Sequence, residues 1–574
     1  MSAKKILFVS SEASPFIKTG GLGDVAGSLP PALKSSGHDV RVVLPEYSQI
    51  PLKYRSRLEH LMHFRTSVVW RDEYIGVNRA LQQSVPFYFI DNKRHFYRHS
   101  IYDNEDRHVQ FILFIRGLLE MLPKINFQPD IIHCNDWQTA MLPLILKDNY
   151  RKYDFYSKIK TIYTIHNLRY QGVFGPEIIP DVLGIDYSYW QDGSIRHDGL
   201  VNFMKAGIMH ADKITTVSQT YAEEIKTPDY GEGLDYALRM RGNDLEGIVN
   251  GISYQDFNPA TDSELFASFD RDNFAGKQKN KTGLQKIMGL PVDPDKKVFS
   301  IISRLVEQKG LDLVQYVAED FLESDMQLVV LGTGQPEYEN FFRYLERRHP
   351  EQVAVKIKYD FDLAKKIYAG SDFFLMPSRF EPCGLGQLIS MRYGTVPIVR
   401  ETGGLKDTVE QYSGEEGNGF TFQEYSGEAL LAAVNSAVKL ARQPEKLKAL
   451  QQRVMGLNFS WKRAACQYDK LYENLLEDET LQNKTRSDEE ISAGKASSQK
   501  RTQTNRKFKD NKFDLNKVTR KKLLSIKGIG PAFADNILSY RRRQKGFKSL
   551  EDLKKVQGIG DSRFVRLKDN FFLS

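Results

Sequence analysis

The sequence predicts an α/β chain of two doubly wound halves facing a cleft, followed by a small all-α module. Three observations carry this. Short apolar, β-branched runs alternate with longer helical patterns up to residue 476; the alternation pauses once and restarts; and a polar segment then separates off a second compact stretch with an internal repeat. Such alternation is the mark of βαβ units built around parallel sheets.

In the first half, "ILFV" (6–9), "VRVVLP" (40–45), "FYFI" (87–90), "DIIH" (130–133), "TIYTIH" (161–166) and "KITTVS" (213–218) read as strands covered on both faces. "HVQFILFIRGLLEML" (108–122) is a helix between them. The pattern pauses in a polar, lysine-rich hinge at about 255–295. It resumes with "KVFSIISRL" (297–305), "MQLVVLG" (326–332), "VAVKI" (353–357), "DFFLMPS" (372–378) and "TVPIVRE" (395–401). "FSWKRAACQYDKLYENLL" (459–476) is a closing helix with Ser460 as its N-cap. The expected domains are therefore 1–255 and 256–476, a disordered linker over 477–510 with almost no apolar residues, and a module over 511–574.

Composition narrows the classes. The 574 residues exceed one ordinary core, and 41% hydrophobic with 27% charged residues is ordinary for a globular protein. No apolar run approaches membrane-spanning length, and the N-terminal "KKILFV" is too short for a secretory signal, so a cytoplasmic protein without membrane contact is expected. Cys134, Cys383 and Cys466 are far apart, which argues against a zinc site or a disulfide framework. Residues 511–574 hold 16 Lys and Arg against 6 Asp and Glu, so the net charge of +8 belongs to the C-terminal end.

Ligands of doubly wound sheets bind past the carboxyl ends of the strands. The residues there are Lys18-Thr19-Gly20-Gly21, Asn135-Asp136-Trp137 and His166-Asn167 in the first half. In the second they are Arg304, Lys309, Gly332-Thr333-Gly334, Arg379-Phe380-Glu381 and Thr402-Gly403-Gly404. Three cations (Lys18, Arg304, Lys309) suit a pyrophosphate, and glycines before helices open backbone N–H groups to anions. Glu381-Pro382 reads as the cap of a helix "PCGLGQLISMRYG", holding a carboxylate for sugar hydroxyls.

"KTGGLGDV", "YTIHNLRYQGVF", "ITTVSQTYAEEI", "SRLVEQKGLDL", "LGTGQPEYE", "IYAGSDFFLMPSRFEPCGLGQL" and "GTVPIVRETGGLKDTV" resemble the bacterial glycogen synthase and starch synthase family, in that family's order, over roughly residues 4–476. The resemblance implies a GT-B glycosyltransferase that moves glucose from ADP-glucose to the non-reducing 4-hydroxyl of an α-1,4-glucan with retention, without metal or cofactor. It implies that Lys18 contacts the nucleotide sugar, that Arg304 and Lys309 hold the diphosphate, that His166 meets the donor glucose, and that Asp136 orders the donor side. Glu381 would bind glucose hydroxyls. Gly20, Gly21, Asn167, Gly332, Gly384, Leu385, Gly386, Thr402, Gly403 and Gly404 would complete the binding surface.

Two departures from that family's pattern stand out. Gly386 replaces the usual Thr or Ser after "EPCGL", so a threonine restored there is expected to tighten donor binding by up to about 1 kcal/mol. "HCNDWQT" (133–139) has Asn135 and Gln138 where histidines are commoner. Each singled-out residue has a plainer reading beside the functional one. His166 alone would be a core histidine, Cys383 is a packing residue before it is a nucleophile, and the two D-x-D matches (Asp293–Asp295, Asp360–Asp362) are chance.

In the C-terminal module "LLSIKGIGPAFADNIL" (523–538) and "LKKVQGIGDSRFVRL" (553–567) repeat at an offset of 30, pairing Leu523 with Leu553 and Ile537 with Leu567. The segment 513–570 resembles the tandem helix-hairpin-helix domain of DNA-uptake proteins. This implies backbone contact with DNA through Gly528, Gly530, Gly558 and Gly560. A protein–protein docking role stays open beside it. Three further readings also remain: a nucleic-acid-binding protein with a degenerate enzyme core, a non-catalytic glucan- or nucleotide-sugar-binding protein, and use of UDP-glucose.

Overall fold

The computed structural model describes residues 3–102, 104–323, 326–477, 513–524, 531–556 and 571–572. The expected linker and the four hairpin glycines Gly528, Gly530, Gly558 and Gly560 lie outside them. The chain divides into two compact units, Met1–Leu481 and Gln482–Ser574.

The first unit has two lobes. The N-terminal lobe is built on β1 (Lys5–Val9), β2 (Asp39–Pro45), β3 (Glu59–Val68), β4 (Arg71–Gln82), β5 (Val85–Asp91), β6 (Ile131–Asn135), β7 (Lys160–Ile165), β8 (Val173–Phe174), β9 (Arg196–His197), β10 (Leu200–Asn202), β11 (Lys213–Thr216) and β12 (Leu245–Gly247). Nine of these form one sheet in the order β12-β11-β7-β6-β1-β2-β5-β4-β3, and β8-β10-β9 form a small second sheet. The strands from β12 to β5 are parallel. The hairpin β3–β4, which the strand pattern missed, adds antiparallel to β5. The C-terminal lobe carries β13 (Lys297–Ile302), β14 (Met326–Gly332), β15 (Val353–Ile357), β16 (Phe373–Met376), β17 (Val396–Arg400) and β18 (Phe420–Phe422), in the order β15-β14-β13-β16-β17-β18. All are parallel. The strand order reverses at β1 in one lobe and at β13 in the other, and crevices for ligands open at such reversals.

Two expectations are corrected. The lysine-rich stretch read as part of a hinge holds the helix Ala275–Met288. Lys277 is buried there because its ammonium donates to Tyr368 O (3.2 Å), Tyr393 O (2.7 Å) and Thr395 Oγ1 (2.7 Å). The closing helix, at 461–477, follows the C-terminal lobe in sequence but packs into the N-terminal core through Trp461, Tyr468, Leu471, Tyr472 and Leu475. Two buried polar contacts fix it, His38 Nε2 to Asp469 Oδ1 (2.9 Å) and His133 Nδ1 to Tyr472 Oη (2.8 Å). The two chain crossings between the lobes lie side by side, with Ile252 N–H donating to Phe459 O at 2.8 Å. Gly251 makes this approach possible, since a Cβ there would sit 2.6 Å from Trp461 N.

In the second unit the helices Arg520–Leu524 and Pro531–Arg543 and the turn Leu550–Lys555 surround a small core. Leu523 and Leu553, matched by the repeat, are both fully buried in it. Two short strands, β19 (Phe513–Asp514) and β20 (Phe571–Phe572), pair in parallel and join the ends of the module.

Candidate active site

A cleft of about 1050 Å³ opens between the carboxyl ends of the two parallel sheets. Lys18, Gly20, Gly21, Asp136, His166, Asn167, Arg304, Lys309, Gly332, Glu381, Gly384, Leu385 and Gly386 all line it. Thr402, Gly403 and Gly404 do not.

On the N-terminal side, the loop after β1 is tied down by Glu12, which sequence reasoning missed. Its buried carboxylate accepts from Thr19 Oγ1 (2.6 Å), from Thr19 N–H and from Tyr102 Oη. This presents Lys18, whose ammonium lies 2.7 Å from Asp24 Oδ1 in the first turn of the helix Gly21–Ser35. Burial holds the Asp24 carboxyl above its ordinary range, against the opposing pull of Lys18. A Cβ at Gly20 would meet nothing within 4 Å, and one at Gly21 only Leu385 of the opposite lobe at 3.9 Å. The protein's own packing does not demand these two glycines, and their bare backbone lines the cleft.

Asp136 leaves β6 at φ +58, a left-handed conformation that Asp tolerates better than most residues. That turn aims its Oδ1 at the backbone N–H groups of His166 (2.8 Å) and Asn167 (3.4 Å). Burial pushes the Asp136 carboxyl up to about 7, while these two donors pull the other way. Asp136 thus orders the end of β7. His166 Nε2 lies 2.9 Å from Asn135 Oδ1. Asn135 Nδ2 is already committed to Val9 O (3.0 Å) and His133 O (3.2 Å), so its oxygen must accept. The network therefore assigns the proton to Nε2 and leaves Nδ1 as an acceptor. Burial lowers the imidazole to about 3, so the ring is neutral at ordinary pH. Within the second departure, Asn135 thus fixes the His166 tautomer. Gln138 is buried with its Oε1 unpartnered on the cleft wall.

On the C-terminal side, Lys309 ends the turn Glu307–Lys309 and is followed by Gly310 at φ +67. A Cβ at Gly310 would sit 1.9 Å from Pro377 O, so glycine lets this turn seat against the loop after β16. The two loops are stitched by Arg379 N–H to Gln308 O (2.9 Å). Lys309 Nζ then meets Glu381 Oε2 at 2.5 Å, with Ser378 Oγ donating to the same oxygen at 3.1 Å. Arg304 is exposed, and among the described residues its side chain makes no hydrogen bond or ion pair; only its carbonyl is used, accepting from Val306 N–H (3.0 Å) and Ser303 Oγ (3.1 Å). Tyr359, also missed from sequence, is 77% exposed on the rim after β15.

Several expected details change. Glu381 is not a helix cap. Gly384 takes φ +74, so Pro382–Leu385 form a loop and the helix begins at Gly386. Thr402–Gly404 lie behind the Glu381 loop instead of in the cleft. Gly404 N–H donates to Glu381 O (3.1 Å), and Glu224 of the other lobe accepts from Gly403 N–H at 3.0 Å, where an anion was expected. Burial pushes the Cys383 thiol up to about 12, which keeps it protonated. Both D-x-D matches do structural work: Asp360 caps the helix Phe361–Gly370 through Leu363 N–H (2.9 Å), and Asp293 Oδ1 accepts from Asp295 N–H (2.9 Å). Among the described residues no group of three or more His, Cys, Asp or Glu is placed to hold a metal ion.

Two doubly wound lobes, with cations and paired carboxylates converging on the cleft between them, define a GT-B glycosyltransferase. Residues 5–240 match the starch synthase catalytic domain, 286–453 the glycosyl transferases of group 1, and 509–572 the helix-hairpin-helix motif. A glycogen synthase of Clostridium acetobutylicum is 49% identical over 476 residues, covering 82% of this chain and 100% of that one. One of Desulforamulus reducens is 48% identical over 475 residues, covering 82% and 99%. The catalytic domain of starch synthase IV from Arabidopsis thaliana, solved bound to ADP and acarbose, superposes with a TM-score of 0.77 at 33% identity, over 83% of this chain and 100% of that one. The chain belongs to the glycogen synthase family, and it is a glycosyltransferase of glycogen synthesis.

Gly386 generates a first prediction, opposite to the one drawn from sequence. A Cβ there would sit 2.8 Å from Phe374 Cε1 and 3.3 Å from Met376 Sδ. Gly386→Thr is therefore expected to cost about 1–3 kcal/mol of stability by overpacking and to lower activity. A melting curve and a donor titration check this; tighter donor binding would contradict it.

Asp136 generates a second. Its folded-state pKa, about 7, lies above the ordinary 3.8. The stability it contributes is fully present below the ordinary value and is lost as pH rises through about 7. Replacement by Asn keeps the left-handed turn and an acceptor oxygen. The melting temperature of Asp136→Asn is thus expected to fall less than that of the wild type between about pH 4 and about pH 8. Equal slopes would show that folding does not raise the Asp136 carboxyl.

Proposed function

We propose that the chain transfers glucose from ADP-glucose to the non-reducing 4-hydroxyl of an α-1,4-glucan, with retention at the anomeric carbon. The observation that carries this is the Lys309–Glu381 pair at 2.5 Å beside the unpaired Arg304 and across from Lys18 in one cleft. The diphosphate rests against Lys18, Arg304 and Lys309 and against the bare N–H groups at Gly20–Gly21 and Gly386. Charge grows on the leaving ADP as the bond to the anomeric carbon breaks, and fixed cations at that place favour the transition state over the ground state. Glu381, bound on one oxygen by Lys309 and Ser378, offers its other oxygen to glucose hydroxyls. Neutral His166 presents an acceptor nitrogen to the donor sugar. The exposed ring of Tyr359 supplies a stacking face for a purine base. The neighbour solved with ADP supports the adenine nucleotide. The two buried cysteines and the exposed Cys466, all free, fit a reducing cytoplasm.

The test is release of ADP or UDP from the two nucleotide glucoses in the presence of glycogen. ADP-glucose is expected to be the better donor. Lys309→Ala is expected to lower kcat/KM by about two orders of magnitude or more, because a preorganised charge at the leaving group is worth about 3 kcal/mol and Glu381 loses its partner. Wild-type activity in a folded Lys309→Ala protein would remove the residue from the mechanism, and preference for UDP-glucose would overturn the donor.

For the second unit we infer weak, sequence-independent binding to DNA phosphates. The support is the net +10 of residues 511–574 and the matched helix-hairpin-helix motif. Arg541 is spent inside the module, donating to Val518 O at 2.9 Å, and Lys555 is paired with Asp552 at 2.8 Å, so the exposed Arg542, Arg543, Lys545 and Lys548 are the cations this reading assigns to the phosphates. In a titration of the full chain with labelled duplex, log K is expected to fall by roughly 0.9 for each neutralised phosphate per unit of log salt, and to be lost when residues 511–574 are removed. Absence of binding at low salt would favour protein docking.

A further inference from the structure

Away from the cleft the lobes touch through two short helices, Gln219–Glu224 of the N-terminal lobe and Gly403–Thr408 of the C-terminal lobe. Each lobe lends the other a carboxylate. Glu224 Oε1 accepts from Thr402 Oγ1 and from Gly403 N–H, both at 3.0 Å. In the opposite direction Asp407 accepts from Ser218 Oγ (2.5 Å), Thr220 Oγ1 (2.6 Å) and Thr220 N–H (3.2 Å). Ser218 and Thr402 are fully buried, so the contact is dry at its centre.

Glu224 and Asp407 are half-buried at the rim of this contact, and a carboxylate losing part of its water there needs donors in exchange. Here every donor to one lobe's carboxylate comes from the other lobe. Sliding the lobes by one hydrogen-bond length would orphan both acids at once, so the contact is satisfied in one register. It also reaches the site. Gly403, whose N–H holds Glu224, takes φ +44, and a Cβ there would sit 2.1 Å from Glu381 O. Its neighbour Gly404 donates to that same oxygen at 3.1 Å. Neither Glu224 nor Asp407 lines the cleft.

We propose that Glu224 and Asp407 are positioning residues, a reciprocal pair of carboxylates that sets the register of the two lobes and so places the Glu381–Lys309 pair against Lys18 and His166. The inference rests on the glucosyl-transfer reading above. It goes beyond that reading by assigning the alignment of the two half-sites to a contact that touches no substrate.

The test uses the full chain with Glu224→Gln, Asp407→Asn and Thr220→Val. The last keeps the backbone donor and removes one hydroxyl, so it carries the test should an acid variant fail to fold. Initial rates are measured against ADP-glucose and glycogen, beside melting temperatures. A misplacement of about 1 Å is worth about a hundredfold in rate, so kcat is expected to fall by roughly tenfold to a hundredfold in the acid variants, with the KM for glycogen changed by less than about twofold. The double variant is expected to be about as slow as the slower single one, because either loss frees the register. Lower melting temperatures with unchanged kcat would overturn the proposal and leave the contact as packing. Spin labels at Leu81→Cys and Tyr344→Cys, both exposed, with Cys466→Ser, read the register without activity. One narrow distance is expected in the otherwise wild-type chain and a broadened one in Glu224→Gln. Should the wild type transfer no glucose, the reaction reading fails while the label distances still decide the lobe contact; equal distributions would overturn it.

Discussion

The contact between Lys309 and Glu381 is the constraint on which the rest of the cleft depends. A carboxylate only 7% exposed needs hydrogen-bond and ion-pair partners in exchange for its lost water, and the half-buried lysine beside it supplies one. Pairing them at 2.5 Å requires the loops after β13 and β16 to converge, and the glycine at 310 and the backbone stitch to Gln308 exist for that convergence. With the pair formed, Arg304 stays free and one oxygen of Glu381 stays available, which is the state a charged donor needs to find.

The two walls of the cleft divide the labour. The C-terminal wall carries Arg304 and the Lys309–Glu381 ion pair. At the ends of β6 and β7 on the N-terminal wall, burial keeps His166 neutral and pushes the Asp136 carboxyl up to about 7. Hydrogen-bond direction does the work there. Asn135 dictates which nitrogen of His166 carries the proton, and Asp136 dictates where the backbone of His166 and Asn167 sits.

Much of this was legible in the residues. The buried parallel strands announce themselves because both faces are covered and their sequences run apolar without interruption, as in Ile6–Val9 and Phe373–Met376. The strand ends then name most of the cleft. What escaped has physical reasons. The hairpin β3–β4 buries only part of one face, so "HLMHFRTSVVW" mixes polar and apolar residues and looks like neither template. The helix Ala275–Met288 hides its burial behind lysines whose ammonium groups find carbonyls. Pro382 signals a helix start, and Gly384 overrides it by turning left-handed. Thr402-Gly403-Gly404 has the look of an anion loop, and the anion is a carboxylate 178 residues earlier in the chain. Glu12 with Tyr102 is equally non-local, 90 residues apart, and no window of sequence could join them.

The closing helix has a consequence for how such an enzyme can be taken apart. Because the chain crosses to the C-terminal lobe at 250–253 and returns at 458–461, with the two crossings bonded side by side, the lobe is an insertion and not an appendage. Its two ends leave the N-terminal lobe as neighbours, as the leaves of a door share one edge. Exchange of lobes between relatives by a single cut near residue 255 would hand each core a foreign Trp461, Tyr468 and Tyr472. The modular boundary runs through two joints, and a chimera that respects it must replace an internal segment while keeping the first 250 residues and the last helix from one parent.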